Sequence, residues 1–298
     1  IEELSKKGIM KKVPVMIISS EISAENENIC FKYGVFDFIG RPFKTSIVRK
    51  RVQNMINIYV YKNHLEQQVQ EQTAVLRKAY EKLEKQKERV EKLNKDILDM
   101  LGTIVEFRNL ESGEHIMRVK GYTKILAEKF KELYPEYNLT DEMIDNIVEA
   151  SALHDLGKIS IPDKILLKPG RLTKEEFEYM KLHTVKGCEL IQAVNLEQSE
   201  ELKQICYDII RYHHERYDGK GYPDGLKGDE IPVSAQLVSL ADVYDALINE
   251  RCYKDAFSNE KAFNMIMNGE CGTFSPKLLE TFKQVRDKFE RFAIEERK

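Results

Sequence analysis

Five of the six histidines belong to a spaced set of residues that could ligate metal ions and support a hydrolysis reaction. The set includes two doublets, His154-Asp155 and His213-His214. A single zinc, iron or manganese ion takes about four to six ligands, so a larger set predicts two or three ions that share a bridging carboxylate, which we expect to be Asp155. The candidate ligands are Glu111, His115, His154, Asp155, His183, His213, His214 and Asp242.

The spacing of these residues predicts how helices would present them. Glu111 and His115 are four residues apart and would share one helix face. Each doublet is expected within a helix, where adjacent side chains point in different directions and suit neighbouring metals. Asp242 and Asp245 are three residues apart in an apolar segment, where a buried unpaired carboxylate is costly and requires a cation or a polar network. A single helical histidine is usually an ordinary polar residue, but that explanation does not account for the whole set.

Composition excludes several classes of protein. The formal net charge of −3 over 298 residues argues against a general binder of nucleic acid polymers. No apolar run is long enough for a membrane span, and no signal peptide is visible. The five cysteines form no CxxC pair and are odd in number, which favours free thiols in a reducing cytoplasm. The length predicts more than one domain, and a chain that begins at Ile1 is expected to be a fragment of a longer protein.

Residues 1–58 predict a small parallel α/β unit. Two strands are expected, one over Val13–Ser19 and one over Gly34–Ile39, with a helical stretch between them. An amphipathic helix is predicted over Lys44–Ile58. Two strands are too few for a stable core of this kind, so the segment is interpreted as part of a domain.

This segment resembles the C-terminal half of a response-regulator receiver domain. Ser19 stands at the family's switch Ser or Thr, and Pro42 at its Lys-Pro pair, which usually has a cis peptide; here the preceding residue is Arg41. No strand before Val13 carries the acidic pocket or the phosphoacceptor Asp. We therefore expect this segment not to accept a phosphoryl group by itself.

Residues 59–101 predict a coiled-coil helix. Apolar residues alternate in steps of four and three among Glu, Lys, Gln and Arg, which is the heptad pattern. The d positions include Gln72, Ala79 and Gln86, so the pairing should be marginal, as a signalling connector requires. We favour a parallel homodimer; the alternative is a single solvated helix. The a positions are Val69, Leu76, Leu83, Val90 and Ile97.

Residues 102–298 predict an all-helical domain that contains the whole candidate site. Periodic apolar stretches recur throughout the segment. Thr140 and Thr173 are predicted N-caps, because Glu142 and Glu176 open the helical turns that follow them. The fold class is therefore mainly α, with a helical bundle that follows the coiled coil and the partial α/β segment.

Two motifs in this segment closely resemble the HD-GYP family, bacterial phosphodiesterases of the HD superfamily. The resemblance implies an all-α HD-type bundle and hydrolysis of a cyclic dinucleotide, usually cyclic di-GMP, to linear pGpG and sometimes to GMP. It covers most of residues 102–298. The motifs are His154-Asp155 with Gly157-Lys158, and His213-His214-Glu215 with Asp218-Gly219-Lys220-Gly221-Tyr222-Pro223.

The resemblance also implies roles for individual residues. The eight candidate ligands match the family's metal ligands, with Glu111 in members that hold a third metal; iron is favoured and manganese is the alternative. Lys158 matches the lysine near the scissile phosphate, and Arg251 and Lys254 match a phosphate-binding pair, although Cys252 replaces a frequent Pro. Asp245 is interpreted as orienting a ligand or Lys158.

The chemistry of the residues agrees with this resemblance. Two metals about 3.5–4 Å apart can hold a phosphoryl group and lower the pKa of a bridging water, and the resulting hydroxide attacks in line with the leaving ribose oxygen. Lys158, Arg251 and Lys254 would stabilise charge on the non-bridging oxygens. The loop motif Gly221-Tyr222-Pro223 lets backbone amides approach a phosphate or a signalling partner, and Tyr222 is placed to stack on a base. The alternative for this loop is a plain tight turn.

Three functions remain open from the sequence. The leading one is a metal-dependent cyclic di-GMP phosphodiesterase. The second is hydrolysis of another cyclic dinucleotide such as cyclic GMP-AMP, which differs only in base contacts. The third is a non-catalytic adaptor that binds a nucleotide or a partner through the Gly-Tyr-Pro loop. Loss of metal ligands would favour the adaptor, and none is missing from the sequence.

Overall fold

A computed structural model describes residues 1–20, 23–108, 113–193, 200–249 and 256–295. The chain divides into two compact units, Ile1–Arg89 and Val90–Lys298. None of the described helices combines the length and the apolar character that crossing a bilayer requires.

The N-terminal unit contains a two-stranded parallel sheet, as predicted. Strand β1 pairs with β2 in a register that aligns Met16 with Asp37. The first strand begins later than predicted, because Pro14 has no N–H to donate to a ladder. Gly34 takes a left-handed φ of 89° between the preceding helix and β2. The elements are α1 (Glu2–Lys6), α2 (Ile9–Lys12), β1 (Met16–Ser19), α3 (Ala24–Lys32) and β2 (Asp37–Gly40).

Helix α4 (Thr45–Arg108) is one uninterrupted helix of 64 residues. It includes the amphipathic helix predicted over Lys44–Ile58, the coiled coil predicted over residues 59–101 and the first residues of the segment predicted to be all-helical. Gly102 does not end the helix; it is buried where an added Cβ would lie 2.3 Å from the backbone oxygen of Ala152. The helix surface is rich in exposed apolar side chains at heptad positions, among them Val69 (56% exposed), Leu76 (70%), Leu83 (63%) and Val90 (54%).

The C-terminal unit is helical over its described residues, which confirms the predicted all-α fold class. Thr140 and Thr173 accept hydrogen bonds from the third backbone N–H of the helices they cap, and Thr173 forms a full capping box with Glu176. After α4 the α-helices are α5 (Glu114–Leu133), α6 (Asp141–Ser151), α7 (Asp163–Leu166), α8 (Lys174–Lys181), α9 (His183–Ala193), α10 (Glu200–Tyr212), α11 (Val233–Ile248), α12 (Asn259–Met267) and α13 (Pro276–Glu295). Short 3₁₀ helices span Pro135–Tyr137, Leu156–Ser160 and Gly228–Glu230.

The core of this unit forms around α5, which packs against α6, α11 and α13. Its buried residues recur at helical spacing on one side of the helix, which explains this packing. Tyr122 on α5 packs edge to face against Tyr244 of α11, with ring centroids 5.1 Å apart. These contacts fix α5 and α11, two of the helices that carry candidate ligands. The buried apolar stripe of α5 is Ile116, Val119, Tyr122, Leu126 and Phe130.

Candidate metal centre

The predicted ligands come from five separate places in the chain. His115 is the second residue of α5, His183 the first of α9, and Asp242 lies within α11. The expectation that both doublets lie within helices is wrong. His154-Asp155 lies in the turn after α6, and His213-His214 in the turn after α10. The helix before the first doublet tightens at its end: the N–H of His154 donates to the oxygen of Ser151, three residues back, and helical geometry ends there.

One ligand group brings four predicted residues together. One ligand atom from each of Asp155, His183, His213 and His214 lies within 4.8 Å of the others. The Nε2 atoms of His183 and His213 are 3.5 Å apart. Oδ1 of Asp155 is 3.3 Å from Nε2 of His183. These four residues offer a donor set that suits one transition-metal ion.

A second group lies on the other side of Asp155. It consists of Glu106, His115 and His154, again with ligand atoms within 4.8 Å of one another. Oδ2 of Asp155 is 3.3 Å from Nε2 of His154, while Oδ1 faces the first group. Asp155 is thus placed between the two groups, one oxygen toward each, as a bridging carboxylate would be.

Asp242 also reaches the second group. Its Oδ1 is 3.6 Å from Nε2 of His115 and 3.9 Å from Nε2 of His154. The side chain remains partly exposed at 17%. The described part of the chain therefore brings seven of the eight predicted ligands to one centre.

The imidazole rings are oriented by hydrogen bonds on their far side. Nδ1 of His154 contacts the backbone oxygen of Ser151 at 2.8 Å, and Nδ1 of His183 that of Met180 at 2.9 Å. The corresponding atom of His213 is 2.9 Å from a backbone oxygen of α10. A carbonyl oxygen only accepts, so each Nδ1 must carry a proton, and each Nε2 faces the centre as the atom that would ligate a cation.

Asp245 holds His115 in the same way. Its Oδ2 lies 2.7 Å from Nδ1 of His115. The carboxylate also accepts hydrogen bonds from Nε of Arg118 at 2.6 Å and from the side-chain amide of Asn249 at 2.8 Å. Asp245 is buried, and these charged and polar partners satisfy it. It therefore orients His115 rather than facing the centre itself.

Burial and charge separate the histidines into two kinds. Burial, with the neighbouring charge of His154, lowers the pKa of His213 to about 3, and burial also lowers the pKa of His183 and His214. These rings are neutral near pH 7 and available as ligands. Burial alone would lower the pKa of His154, but the negative charge of the nearby Asp155 outweighs it and raises that pKa to about 10. A cation at this position would take the place of that proton.

Lys158 brings a positive charge to the centre. Its Nζ lies 2.5 Å from Oδ2 of Asp155 and 4.0 Å from Oε1 of Glu106. Burial raises the pKa of the Asp155 carboxyl, but the charges of Lys158 and His154 outweigh this and hold it well below its usual range. The preceding residue, Gly157, packs so closely that an added Cβ would lie 1.7 Å from the backbone oxygen of His183. Only glycine fits between α9 and the turn that contains His154-Asp155.

Unsatisfied buried atoms test whether metal ions fit this centre. Among the described residues, both carboxylate oxygens of Glu106, Nε2 of His154 and Oδ1 of Asp155 are buried without a hydrogen-bond partner. Buried polar atoms without partners are costly, and ligation by a cation removes that cost. All four atoms belong to the two ligand groups. The residues therefore fit at least two metal ions with histidine and carboxylate ligands.

Glu106 is the site residue that sequence reasoning missed. It is fully buried near the end of α4, and burial is the main reason that its pKa is raised. Leu98, Gly102 and Val105 are the buried residues of the same helix end, and Glu106 continues their helical spacing. A carboxylate on this apolar stripe was the available signal. The metal-ligand prediction fell instead on Glu111, which lies outside the described residues, as do Arg251 and Lys254.

The Gly-Tyr-Pro loop packs against the first ligand group. The ring of Tyr222 lies 4.8 Å from that of His214 at an interplanar angle of 33°. An added Cβ on Gly221 would lie 2.4 Å from Cα of Glu215, so this glycine is required for close backbone packing. Oε1 of Glu215 accepts from the N–H groups of Asp224 at 2.8 Å and Gly225 at 2.9 Å. The loop thus supports the ligand turn that contains His214.

The sequence is similar to known proteins over this whole region. The family model described as the HD domain matches residues 113–278. A protein of Vibrio cholerae serotype O1 named "Probable cyclic di-GMP phosphodiesterase" is 34% identical over 99% of this chain and 67% of its own length. A protein of Thermotoga maritima named cyclic di-GMP phosphodiesterase is 32% identical over 93% of this chain and 73% of its own length.

A third relative carries a different name. The protein of Vibrio cholerae serotype O1 named 3'3'-cGAMP-specific phosphodiesterase 2 is 38% identical over 66% of this chain. The match spans 35% of that protein's length, so the likeness there concerns a part of the relative only.

Proposed function

The chain belongs to the HD-domain family, and we propose that it is a metal-dependent phosphodiesterase that hydrolyses cyclic di-GMP to linear pGpG. The observation that carries the proposal is the pair of ligand groups with Asp155 between them. Two ions held in this way suit the in-line displacement of a phosphodiester. The names of two relatives that match nearly the whole chain support the choice of substrate.

The residues of the two groups would hold the ions through neutral imidazoles and carboxylates. Bound ions would lower the pKa of a shared water and polarise the phosphoryl group. Lys158 lies against Asp155, where its ammonium group would stabilise negative charge that develops on a phosphoryl oxygen. Asp242, partly exposed beside His115 and His154, completes the carboxylate side of the centre. Arg251 and Lys254 are proposed to bind substrate phosphate.

We propose iron as the preferred metal, with manganese as the alternative. The ligand set contains histidine and carboxylate without thiolate, and the described cysteines are absent from both ligand groups. The number is proposed to be two, or three if Glu111 provides a further carboxylate. Elemental analysis of anaerobically purified protein measures both the identity and the number.

Replacement of Lys158 by alanine should separate charge stabilisation from metal binding. We expect kcat for cyclic di-GMP to fall by about a hundredfold to a thousandfold, because one preorganised charge is lost from the transition state. Metal content should remain that of the wild type. Lys164→Ala, an exposed lysine on α7, is the matched control and should leave kcat unchanged. Chromatography of the products and elemental analysis check both parts; loss of metal in Lys158→Ala, or an unchanged kcat, would contradict the assignment.

Hydrolysis of cyclic GMP-AMP is the second candidate function. The relative named for that substrate is 38% identical over 66% of this chain, which is a specific reason to test it. Parallel kcat/KM measurements with both cyclic dinucleotides decide between the two substrates. If metal-loaded protein binds either nucleotide without cleaving it, the adaptor function is correct instead. In that case the Gly-Tyr-Pro loop is the proposed surface for a signalling partner.

A homodimer through α4 is proposed for the whole chain. The heptad apolar side chains of this helix are about half exposed or more in the single chain, which supports a coiled-coil partner. Replacement of Leu76 and Leu83 with glutamine should convert dimer to monomer at concentrations where the wild type is dimeric. Lys78→Gln with Lys85→Gln, on another face of the helix, is the control and should stay dimeric. Sedimentation velocity checks this, and a monomeric wild type would contradict it.

We further propose that residues 1–58 are part of a receiver-like domain and that the protein works in the cytoplasm. The parallel pairing of β1 with β2 supports the first proposal. The free, buried thiols of Cys30, Cys188 and Cys206 support the second.

A further inference from the structure

Arg108 at the end of α4 contacts the segment that contains Lys158. Its Nη1 donates to the backbone oxygens of Lys158 at 2.9 Å and Ile159 at 2.7 Å. Its Nη2 donates to the backbone oxygen of Ile161 at 2.7 Å and to the carboxylate of Asp163 at 2.6 Å. One guanidinium group thus binds three carbonyl oxygens within four consecutive residues.

These carbonyls lie at the C-terminal end of a short 3₁₀ helix and just after it. The helix spans Leu156–Ser160, and backbone bonds join it to its flanking residues: the N–H of Lys158 donates to Asp155, and the N–H of Ile161 donates to Lys158. A cation at such a terminus satisfies orphan carbonyls and complements the dipole. Arg108 adds three hydrogen bonds to the backbone bonds of this segment.

The contact to Asp163 alone does not explain this arrangement. Its side chain is 68% exposed, and an ion pair with so exposed a partner contributes little. A planar fork of donors aimed at successive carbonyls is a geometry that arginine provides and lysine does not. The hydrogen bonds to the carbonyl oxygens are thus the main contribution of Arg108 to this segment.

The side-chain end of Lys158 meets the same turn of α4. Glu106, two residues before Arg108, has its Oε1 4.0 Å from Nζ of Lys158. The last turn of α4 therefore contacts Lys158 at its backbone and at its ammonium group.

We propose that Arg108 is a positioning residue that holds Lys158 in place against Asp155, an inference that rests on the proposed function for its effect on turnover. Arg108 contributes no atom to the centre. It acts through the backbone of residues 158–161. Any displacement of the end of α4 would consequently change the position of the Lys158 ammonium group.

The test compares Arg108→Ala, Arg108→Lys and Asp163→Ala in the full chain. In Arg108→Ala we expect amide hydrogen exchange in the peptide covering residues 156–162 to accelerate by about tenfold or more, because its anchoring hydrogen bonds are lost. Acetylation of Lys158, followed by mass spectrometry, should accelerate with it. The kcat for cyclic di-GMP should fall by about tenfold to a hundredfold at unchanged metal content and KM. Guanidinium ion added to this variant should restore part of kcat.

The two other variants separate the alternatives. Asp163→Ala should change exchange and kcat by less than about threefold. Arg108→Lys should lie between wild type and Arg108→Ala, because one ammonium group cannot reach all three carbonyls. Exchange and acetylation are measured without substrate, so they decide the inference even if the wild type fails to cleave cyclic di-GMP. Unchanged exchange and acetylation in Arg108→Ala would overturn it, and so would a loss of kcat that follows loss of metal.

Discussion

Replacement of Asp155 by asparagine is expected to lower kcat for cyclic di-GMP by at least about a thousandfold and to reduce the bound metal. Asparagine keeps the shape of the side chain but removes the charge. The oxygens of Asp155 face His183 on one side and His154 on the other. One substitution is therefore expected to weaken both ligand groups, because Asp155 directs one oxygen toward each.

The control for this variant is Asp145→Asn on α6, an exposed aspartate on the helix before the doublet. It should keep the metal content and kcat of the wild type. Thermal unfolding followed by circular dichroism checks that Asp155→Asn still folds. Full metal content with normal turnover in Asp155→Asn would show that Asp155 does not bridge the ions.

Local features of this fold were readable from the sequence because short-range chemistry determines them. Thr140 and Thr173 cap their helices through hydrogen bonds three residues away, so the residue types suffice to predict them. The start of a strand was predicted less accurately. The first strand was predicted from Val13, but β1 begins at Met16, because Pro14 has no N–H to donate to a ladder. The helix predicted to end at Ile58 continues to Arg108, since nothing between them interrupts it.

The ligand types of the site were also predictable, but their environment was not. His154 and His213 were identified from residue type and spacing alone. That they lie in turns after helices depends on where α6 and α10 end, which packing decides. The contact of Arg108 with residues 158–161 joins positions about fifty residues apart, and no local pattern encodes such a distance. Glu106 was overlooked for another reason: an acidic residue in a charged helix is usually solvated, although the helical spacing with Leu98 and Gly102 marks this one as buried.

The sequence spacing and the geometry of the structure favour different glutamates as the metal ligand. Spacing favours Glu111, four residues before His115 on a shared helix face. Geometry favours Glu106, whose buried carboxylate lies with His115 and His154 and has no hydrogen-bond partner among the described residues. A buried carboxylate without a cation is costly, so this position demands one.

Glu106→Gln should therefore lower the metal content by about one ion per chain and lower kcat by about a hundredfold or more, because a neutral amide replaces a charged ligand of nearly equal size. Glu111→Gln should retain that ion if Glu106 is the ligand. Glu114→Gln, with its side chain 75% exposed, is the control and should behave as wild type. Elemental analysis of the three variants, reconstituted side by side, measures the result. If Glu111→Gln loses an ion while Glu106→Gln keeps the full number, the spacing argument is right, and the buried carboxylate of Glu106 serves only to face Lys158.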